Sequence, residues 1–304
     1  MTTALKIKNK ALEIGFSACG ITNAQVVSLE RENLYRKYLK NGFHADMHYL
    51  ERNVEKRMNP SLLFENTKSI VVVLLNYHNP TYQQNKKSAY FFSEYALGKD
   101  YHLVIKNKLL ELSNFIQKQY PDSKNRVFVG SAPVLEKYHA YRAGLGCIGK
   151  NTLLITRKGS YYFIGEIYTD LDLPYDSPFD EDYCLQCKLC VNACPTDALH
   201  SPYSLDATKC ISYHNIESKD EIPKDIRAKM GKQVYGCDVC QWVCPCNKNA
   251  EQTTVPEFSI KKEFLEWTDT DWQTMNKTVF EQFFSDSALY RVGYEKLMRC
   301  LSLV

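Results

Sequence analysis

The most informative segment of the chain is Cys184-Leu-Gln-Cys187-Lys-Leu-Cys190-Val-Asn-Ala-Cys194-Pro195. Two, two and three residues separate its four cysteines, and a proline follows the fourth. At this spacing the first three thiolates wrap one [4Fe–4S] cube, and the fourth, followed by proline, reaches a neighbouring cube. The spacing therefore predicts two [4Fe–4S] clusters.

A second run of cysteines supplies the remaining ligands. It reads Cys237-Asp-Val-Cys240-Gln-Trp-Val-Cys244-Pro245 and repeats the tail of the first motif. Its missing first member must come from upstream, and Cys210 is the only cysteine between the two runs. We therefore predict two ligand sets, which are Cys184, Cys187, Cys190 and Cys244 for one cluster and Cys194, Cys210, Cys237 and Cys240 for the other.

Zinc and disulfide bonds are the alternative interpretations of these cysteines. A structural zinc site needs four ligands and does not require a proline after both fourth cysteines. Disulfides would suit a secreted protein, but residues 1–30 carry no apolar signal-peptide core or cleavage site, so we expect a reducing cytoplasm. Cys246 stays open as a ligand because it lies two residues after Cys244. The other cysteines are expected to be packed thiols, namely Cys19, Cys147 and Cys300.

Composition sets the outer bounds. With 304 residues, of which 44% are hydrophobic, the chain is long enough for about two domains. No apolar run approaches the roughly 20 residues of a membrane span, so no membrane partner is expected. The net charge of +3 is too small to indicate a nucleic-acid partner and does not exclude one.

Hydrophobic periodicity predicts an α/β opening. Residues 3–14 have helical spacing, and residues 16–21 suggest a strand. Residues 29–52 are predicted to be helical. The run 69–77 is continuous and rich in β-branched residues, which predicts a central strand buried on both faces.

Further along, the pattern alternates again and then changes. We predict a loop over 79–94, a helix ending near Tyr120, a strand at 126–129, a helix from about 134 to 143, and strands at 152–156 and 161–169. The acidic, proline-containing segment 171–183 is the expected boundary, so the predicted divisions are 1–172, 173–250 and 251–304. The last division is expected to be helical and to pack on the body.

Residues 1–172 must supply the chemistry, because a two-cluster unit only carries electrons. Gly144-Leu-Gly-Cys-Ile-Gly149 matches the dinucleotide-binding GxGxxG pattern, but it follows a predicted helix rather than a strand. A nicotinamide cofactor is therefore disfavoured.

Longer motifs carry a resemblance to a known family. They are Tyr95-Ala-Leu-Gly-Lys-Asp-Tyr-His102, Ala132-Pro-Val-Leu-Glu136, Arg142-Ala-Gly-Leu-Gly-Cys-Ile-Gly-Lys-Asn151, Cys210-Ile-Ser-Tyr213 and Tyr235-Gly-Cys-Asp-Val-Cys-Gln241. In order and spacing they resemble the epoxyqueuosine reductase family along nearly the whole chain. The resemblance implies an α/β (α+β) cobalamin-binding domain related to reductive dehalogenases. That domain is fused to a two-[4Fe–4S] ferredoxin-like domain with a helical C-terminal segment.

The resemblance also implies a reaction and its site. The epoxide of a modified guanine at the wobble position of tRNA is reduced to queuosine, with two electrons and two protons removing the oxygen as water. By the same resemblance, the residues expected to line the corrin or its tail are Arg57, Tyr95, Lys150, Asn151, Thr196, Ser212 and Tyr213. An ordinary surface charge or helix cap is the alternative at each position.

Position 130 departs from the family pattern. Where the family has an aspartate as proposed proton donor, the chain reads Gly130-Ser131-Ala132-Pro133. Glycine has no proton to give, so either Asp100 or His102 substitutes, or a water does, or the activity is altered. Gly130→Asp is expected to accelerate the enzyme if the native acid is poorly replaced. The family's Arg and aromatic positions are also changed, to Lys137 and Cys147. The helical-repeat tail of longer members does not follow residue 304, which predicts a weaker grip on tRNA.

Other function classes fit less well. A pure electron carrier leaves residues 1–172 unexplained, and a reductive dehalogenase would be expected to carry an export signal. A paralogue with a different substrate is the main alternative, because of Gly130. Expected partners are tRNA and a flavodoxin- or ferredoxin-type electron donor. Candidate phosphate contacts are Lys219, Lys224, Arg227, Lys229 and Lys232, with Arg291 and Lys296 from the tail.

Overall fold

A four-stranded antiparallel sheet forms the centre of the computed structural model, which describes residues 2–130 and 132–304. In these residues the strands are β1 Ala18–Asn23, β2 Ser69–Asn76, β3 Phe91–Phe92, β4 Asn125–Phe128, β5 Cys147–Ile148, β6 Leu154–Ile155, β7 Tyr162–Thr169 and β8 Gln233–Tyr235. The central sheet has the order β1-β2-β7-β4. Its register pairs Ala18 with Leu74 and Ser69 with Thr169.

The helices surround this sheet and continue after it. Those preceding β7 are α1 Thr3–Ile14, α2 Leu29–Lys40, α3 Val54–Met58, α4 Pro60–Leu63, α5 Tyr82–Asn85, α6 Tyr101–Gln119 and α7 Glu136–Arg142. Those following it are α8 Leu189–Ala193, α9 Lys224–Arg227, α10 Val239–Trp242, α11 Lys262–Glu266, α12 Asp269–Thr274, α13 Lys277–Phe284, α14 Leu289–Val292 and α15 Tyr294–Leu303. A π-helical turn spans Tyr213–Glu217.

Strand β2 is buried along its whole length, as its sequence predicts. Alternate residues face two different cores: Val71 and Val73 pack with α1 and α6, whereas Ile70 and Val72 pack with α7. Gly165 on β7 allows α6 to approach the sheet, because a Cβ there would lie 2.7 Å from the Ile105 side chain. The predicted central strand is therefore confirmed.

Three local predictions were wrong in part. Residues 29–52 are not one helix, because α2 ends at Lys40 and Gly42 adopts a left-handed φ of 69°. The predicted loop 79–94 contains α5 and the buried strand β3, which pairs in parallel with β8. The predicted strand 152–156 is reduced to β6, since Thr152 also has a positive φ, of 64°.

The C-terminal helices form an aromatic core with residues from both earlier parts of the chain. Trp272, Phe264 and Phe284 pack with Phe92, and the same cluster includes Tyr235 on β8. The helical C-terminal segment is therefore confirmed. Residues from all three predicted segments share this core. The boundaries at 172/173 and 250/251 therefore stay predictions.

Among residues 2–130 and 132–304, no helix combines the length and apolar character needed to cross a bilayer.

Candidate functional site

A first group of thiols lies where the loop before α8 meets the chain after α10. The Cys187 N–H donates to the Cys184 carbonyl oxygen at 2.8 Å, which closes this loop. Burial, followed by the charges of Cys184, Cys244 and Cys187, raises the pKa of Cys190. Cys244 therefore lies with the three cysteines of the first motif, although it belongs to the second run.

A second group combines the other four cysteines of the two ligand sets. Burial, followed by the charges of Cys210, Asp238 and Cys194, raises the pKa of Cys237 to about 12. Burial also raises the pKa of Cys240, with contributions from Cys237 and Cys210. Here it is the last cysteine of the first run, Cys194, that joins cysteines from further along the chain.

Both groups fit an iron–sulfur cube, because thiol sulfur is the ligand that these clusters take. The two groups have the same membership as the two predicted ligand sets, and the individual ligands stay predictions. Cys246 lies at the first group, where burial and the neighbouring Cys244 raise its pKa to about 12. Cys300 lies instead in the aromatic core of the C-terminal helices.

Gly130 lies beside the side chain of His102. Its φ is 60°, and a Cβ built at this position would lie 2.6 Å from His102 Nε2 and 3.4 Å from the Tyr101 hydroxyl oxygen. The imidazole therefore occupies the space into which a side chain at position 130 would point. The neighbouring Ser131 lies outside the described residues.

His102 is held by one partner two residues away and by another from the far end of the chain. Its Nδ1 lies 2.7 Å from Asp100 Oδ1, and Asp100 also caps α6 by accepting from the His102 backbone N–H at 3.0 Å. Burial alone would raise the pKa of Asp100, but the hydrogen bonds from His102 lower it. Arg291 Nη1, from α14, lies 2.7 Å from His102 Nδ1 and 2.8 Å from Nε2. The structure thus brings Asp100, His102 and Arg291 together at Gly130.

Glu136 is a further candidate that sequence reasoning missed. Its Oε1 accepts a hydrogen bond from the Gly130 N–H at 2.7 Å. Burial, and then the buried Glu166 carboxylate, raise the pKa of Glu136 to about 7. Such perturbed carboxyls often mark functional sites. Glu136 belongs to the family-like motif Ala132–Glu136, which could have marked it as a candidate. Its raised pKa, however, depends on burial and on Glu166, and both arise only in the folded chain.

A cleft of about 1000 Å³ opens next to this region. It is lined by α2, α7 and the loop after α8, with the aromatic side chains Tyr35, Tyr38, Phe43, Tyr138 and Tyr141. Its size is at the upper end of the roughly 300–1,000 Å³ of small-molecule sites, as a group as large as a corrinoid requires. None of the seven predicted corrin contacts is among the described residues that line it.

The seven predicted corrin contacts fall into two sets. Arg57, Tyr95 and Tyr213 have polar atoms tied to other parts of the chain: Arg57 Nη2 donates to the Tyr49 carbonyl at 3.0 Å, and the Tyr213 and Tyr95 hydroxyls donate to Asp46 and Tyr235. Arg57 Nε is buried without a hydrogen-bond partner among the described residues, so this guanidinium fits a bound polar group.

The other four lie at the cysteines. The Thr196 hydroxyl oxygen is 3.8 Å from Cys194 Sγ, and the Ser212 backbone N–H interacts with Cys210. Lys150 Nζ donates to the loop carrying Cys184, and Asn151 Nδ2 donates to the Cys240 carbonyl at 3.3 Å. These four residues therefore contact predicted cluster ligands, and none of them is among the described residues that line the cleft.

Comparison with known proteins yields the same family along the whole chain. A family model described as "Epoxyqueuosine reductase QueG, DUF1730" matches residues 57–131, and one described as "4Fe-4S double cluster binding domain" matches residues 183–247. An epoxyqueuosine reductase from Cellulophaga algicola is 43% identical over 96% of this chain and 95% of its own length.

Solved structures are similar along the same length. One is an epoxyqueuosine reductase with an epoxyqueuosine-modified tRNA-Tyr stem loop, with a TM-score of 0.90, 29% identity, and coverage of 98% of this chain and 80% of that one. Another is the enzyme from Bacillus subtilis with an aspartate catalytic loop swung out of the active site, at a TM-score of 0.88, 29% identity and the same coverage.

Proposed function

Because this chain belongs to the epoxyqueuosine reductase family, we propose that it is the oxidoreductase that reduces epoxyqueuosine to queuosine at the wobble position of tRNA. The observation that carries this proposal is the 43% identity to an epoxyqueuosine reductase along 96% of the chain. The reaction breaks both carbon–oxygen bonds of the epoxide. It consumes two electrons and two protons, and the oxygen leaves as water.

Two [4Fe–4S] clusters and cobalamin provide the redox chemistry of the proposal. The clusters would supply one-electron transfer and the corrinoid would supply the redox chemistry at the substrate. The two cysteine groups would hold the clusters. The aromatic cleft and the Arg57 guanidinium, with its buried unpartnered Nε, would hold the corrinoid.

The proton for the departing oxygen would come from His102. Asp100 accepts from the Nδ1 N–H and orients the ring, so Nε2 is the atom that faces position 130. In the described state Nε2 accepts from Arg291 Nη1 at 2.8 Å, so proton donation would require Nε2 to be protonated and this contact to open. Arg291 places a positive charge beside the ring, where negative charge would develop on the oxygen. The Glu136 carboxyl would supply the second proton, since burial raises its pKa to about 7.

The partners follow from the reaction. The substrate is tRNA, and the reductant is a flavodoxin- or ferredoxin-type protein. An entry point for electrons is supported by Leu185, which is 72% exposed within the loop that carries Cys184 and Cys187. We also place the protein in the cytoplasm, where its tRNA substrate is found.

A paralogue with a different substrate is less favoured, because two relatives that are 43% identical over 96% and 98% of this chain are both epoxyqueuosine reductases. The test is an anaerobic assay of the reconstituted protein with cobalamin, a chemical reductant and epoxyqueuosine tRNA, read by mass spectrometry of the digested nucleosides. We expect queuosine to accumulate. If cobalamin binds and the clusters reduce it, but neither the native protein nor Gly130→Asp forms queuosine, the substrate is wrong.

A further inference from the structure

Lys150 is a buried cation whose three donors all contact one cysteine loop. Its Nζ lies 3.0 Å from the Cys184 carbonyl oxygen, 2.5 Å from that of Leu185 and 2.9 Å from that of Cys187. The side chain is buried, at 7% exposure. An ammonium group has three N–H donors, so this loop uses its whole hydrogen-bonding capacity. The contacts also offset the desolvation of the charge.

The backbone around Lys150 strengthens this arrangement. The Lys150 N–H points to Cys184 Sγ at 3.4 Å. Lys150 lies in the turn between β5 and β6, which is closed by a hydrogen bond from the Gly149 N–H to the Leu153 carbonyl at 2.8 Å. The next residue, Asn151, contacts the Cys240 carbonyl. One turn of the N-terminal body therefore contacts both runs of cysteines.

A fixed positive charge at this position has an electrochemical consequence. Reduction adds one electron to a cube, here from the external donor protein, and a nearby cation stabilises the more negative state. Hydrogen bonds to the cysteine sulfurs act in the same direction, and both are recognised determinants of cluster potentials.

We propose that Lys150 is a positioning residue that orders the Cys184–Cys187 loop and raises the reduction potential of the cluster bound there. The proposal rests on the clusters of the proposed function and is independent of cobalamin and tRNA. It therefore survives or fails separately from the assigned substrate.

The experiment compares Lys150→Met and Lys150→Arg with the native full-length protein after anaerobic reconstitution. Redox titration followed by electron paramagnetic resonance gives both cluster potentials, and iron release to a chelator reports the order of the loop. We expect Lys150→Met to shift one of the two potentials to a more negative value and to release iron faster. Lys150→Arg, which keeps the charge, should lie closer to the native values.

Lys158→Met is the matched control, because Lys158 is an exposed lysine paired with Glu251 only 2.9 Å away. It removes the same charge from the same hairpin region and should leave both potentials in place. If Lys150→Met cannot retain its full iron, Lys150→Gln carries the measurement, since it loses the charge but keeps one donor. The proposal is overturned if the neutral Lys150 variant keeps the native reduction potentials and the native rate of iron release. It is also overturned if Lys158→Met shifts a reduction potential by the same amount.

Discussion

At the scale of single residues, the space beside Gly130 decides how the missing aspartate is replaced. A Cβ at position 130 would overlap His102 Nε2, and the positive φ disfavours any side chain there by roughly 1–2 kcal/mol. The imidazole and a carboxylate at position 130 are therefore alternatives for the same place. The expectation from sequence is that Gly130→Asp accelerates the enzyme if the native acid is poorly replaced, and the geometry adds that the new carboxyl must displace the imidazole.

We predict that Gly130→Asp slows epoxide reduction, because it displaces His102 from Asp100. His102→Ala should slow the reaction by about 10²- to 10⁴-fold, the usual contribution of a general acid. The double variant His102→Ala/Gly130→Asp should recover part of this loss, since the smaller residue leaves room for the carboxyl. Single-turnover rates of queuosine formation measure all three.

His102→Ala/Gly130→Ala is the control, because it fills the same space without an acid and should show no recovery. A native-like rate in His102→Ala, or equal rates in the two double variants, would show that neither group at this position donates the proton.

Glu136 makes a second prediction, on pH and stability. Its pKa is raised from 4.5 to about 7, so the folded protein binds this proton more tightly than the unfolded chain does. The contribution of this proton to the stability of the folded protein is complete below the pKa of the unfolded chain and is lost as the pH rises through about 7. The hydrogen bond from the Gly130 N–H, followed by the charges of Lys137 and Arg57, opposes the rise in this pKa without cancelling it.

Glu136→Gln should therefore gain stability relative to the native protein as the pH increases. The difference in thermal unfolding midpoint between the two holoproteins, measured anaerobically, should be more positive at about pH 8 than at about pH 6. The exposed Glu111 on α6, changed to Gln, is the control and should show no such trend. If the difference in unfolding midpoint between Glu136→Gln and the native protein does not change with pH, Glu136 does not have the raised pKa and is not a proton donor of the site.

At the scale of elements, the two predicted ligand sets each combine cysteines from both runs rather than from one loop. Cys244 joins the first group and Cys194 joins the second, so each cluster would tie α8 to α10. Loss of one cluster should consequently weaken the packing around the other.

We predict that Cys210→Ser lowers the iron content from about eight to about four per chain, because it removes one ligand of the second cube. Cys300→Ser, in the aromatic core of α15, should retain about eight, because this cysteine has no ligand role. Iron analysis after anaerobic reconstitution gives both values. Equal iron loss in the two variants would reject the ligand assignment, and about four irons in the native protein would reject the second cluster.

At the scale of the whole molecule, the basic residues predicted to contact tRNA divide into two kinds. The residues Lys219, Lys224, Arg227, Lys229 and Lys232 are exposed. Lys232 Nζ also lies over the Tyr90 ring, 5.3 Å from its centroid. Lys296 donates to the Ser218 carbonyl at 2.5 Å, and burial lowers its pKa to about 8, whereas Arg291 contacts His102. Both tail cations therefore have partners within the chain, and their contact with tRNA stays a prediction.

Neutralising Lys224, Arg227 and Lys229 together should reduce the salt dependence of tRNA binding by about two to three in log–log slope, because each released phosphate contact contributes about one. The control neutralises the exposed Lys106, Lys118 and Lys124, on and after α6, and should leave the slope in place. If both triple variants keep the slope of the native protein, none of these side chains contacts a phosphate.

Features that depend on short stretches of chain could be predicted from the residues alone. Cluster number follows from cysteine spacing, since a cube takes several ligands from one turn of chain, and the central strand follows from a continuous apolar run. The meeting of distant groups became visible only in the folded chain: Arg291 lies at His102, Glu166 near Glu136, and Lys150 at the Cys184–Cys187 loop. These contacts arise from packing between elements, and no periodicity along the chain encodes which exposed or charged side chain will be brought to which partner.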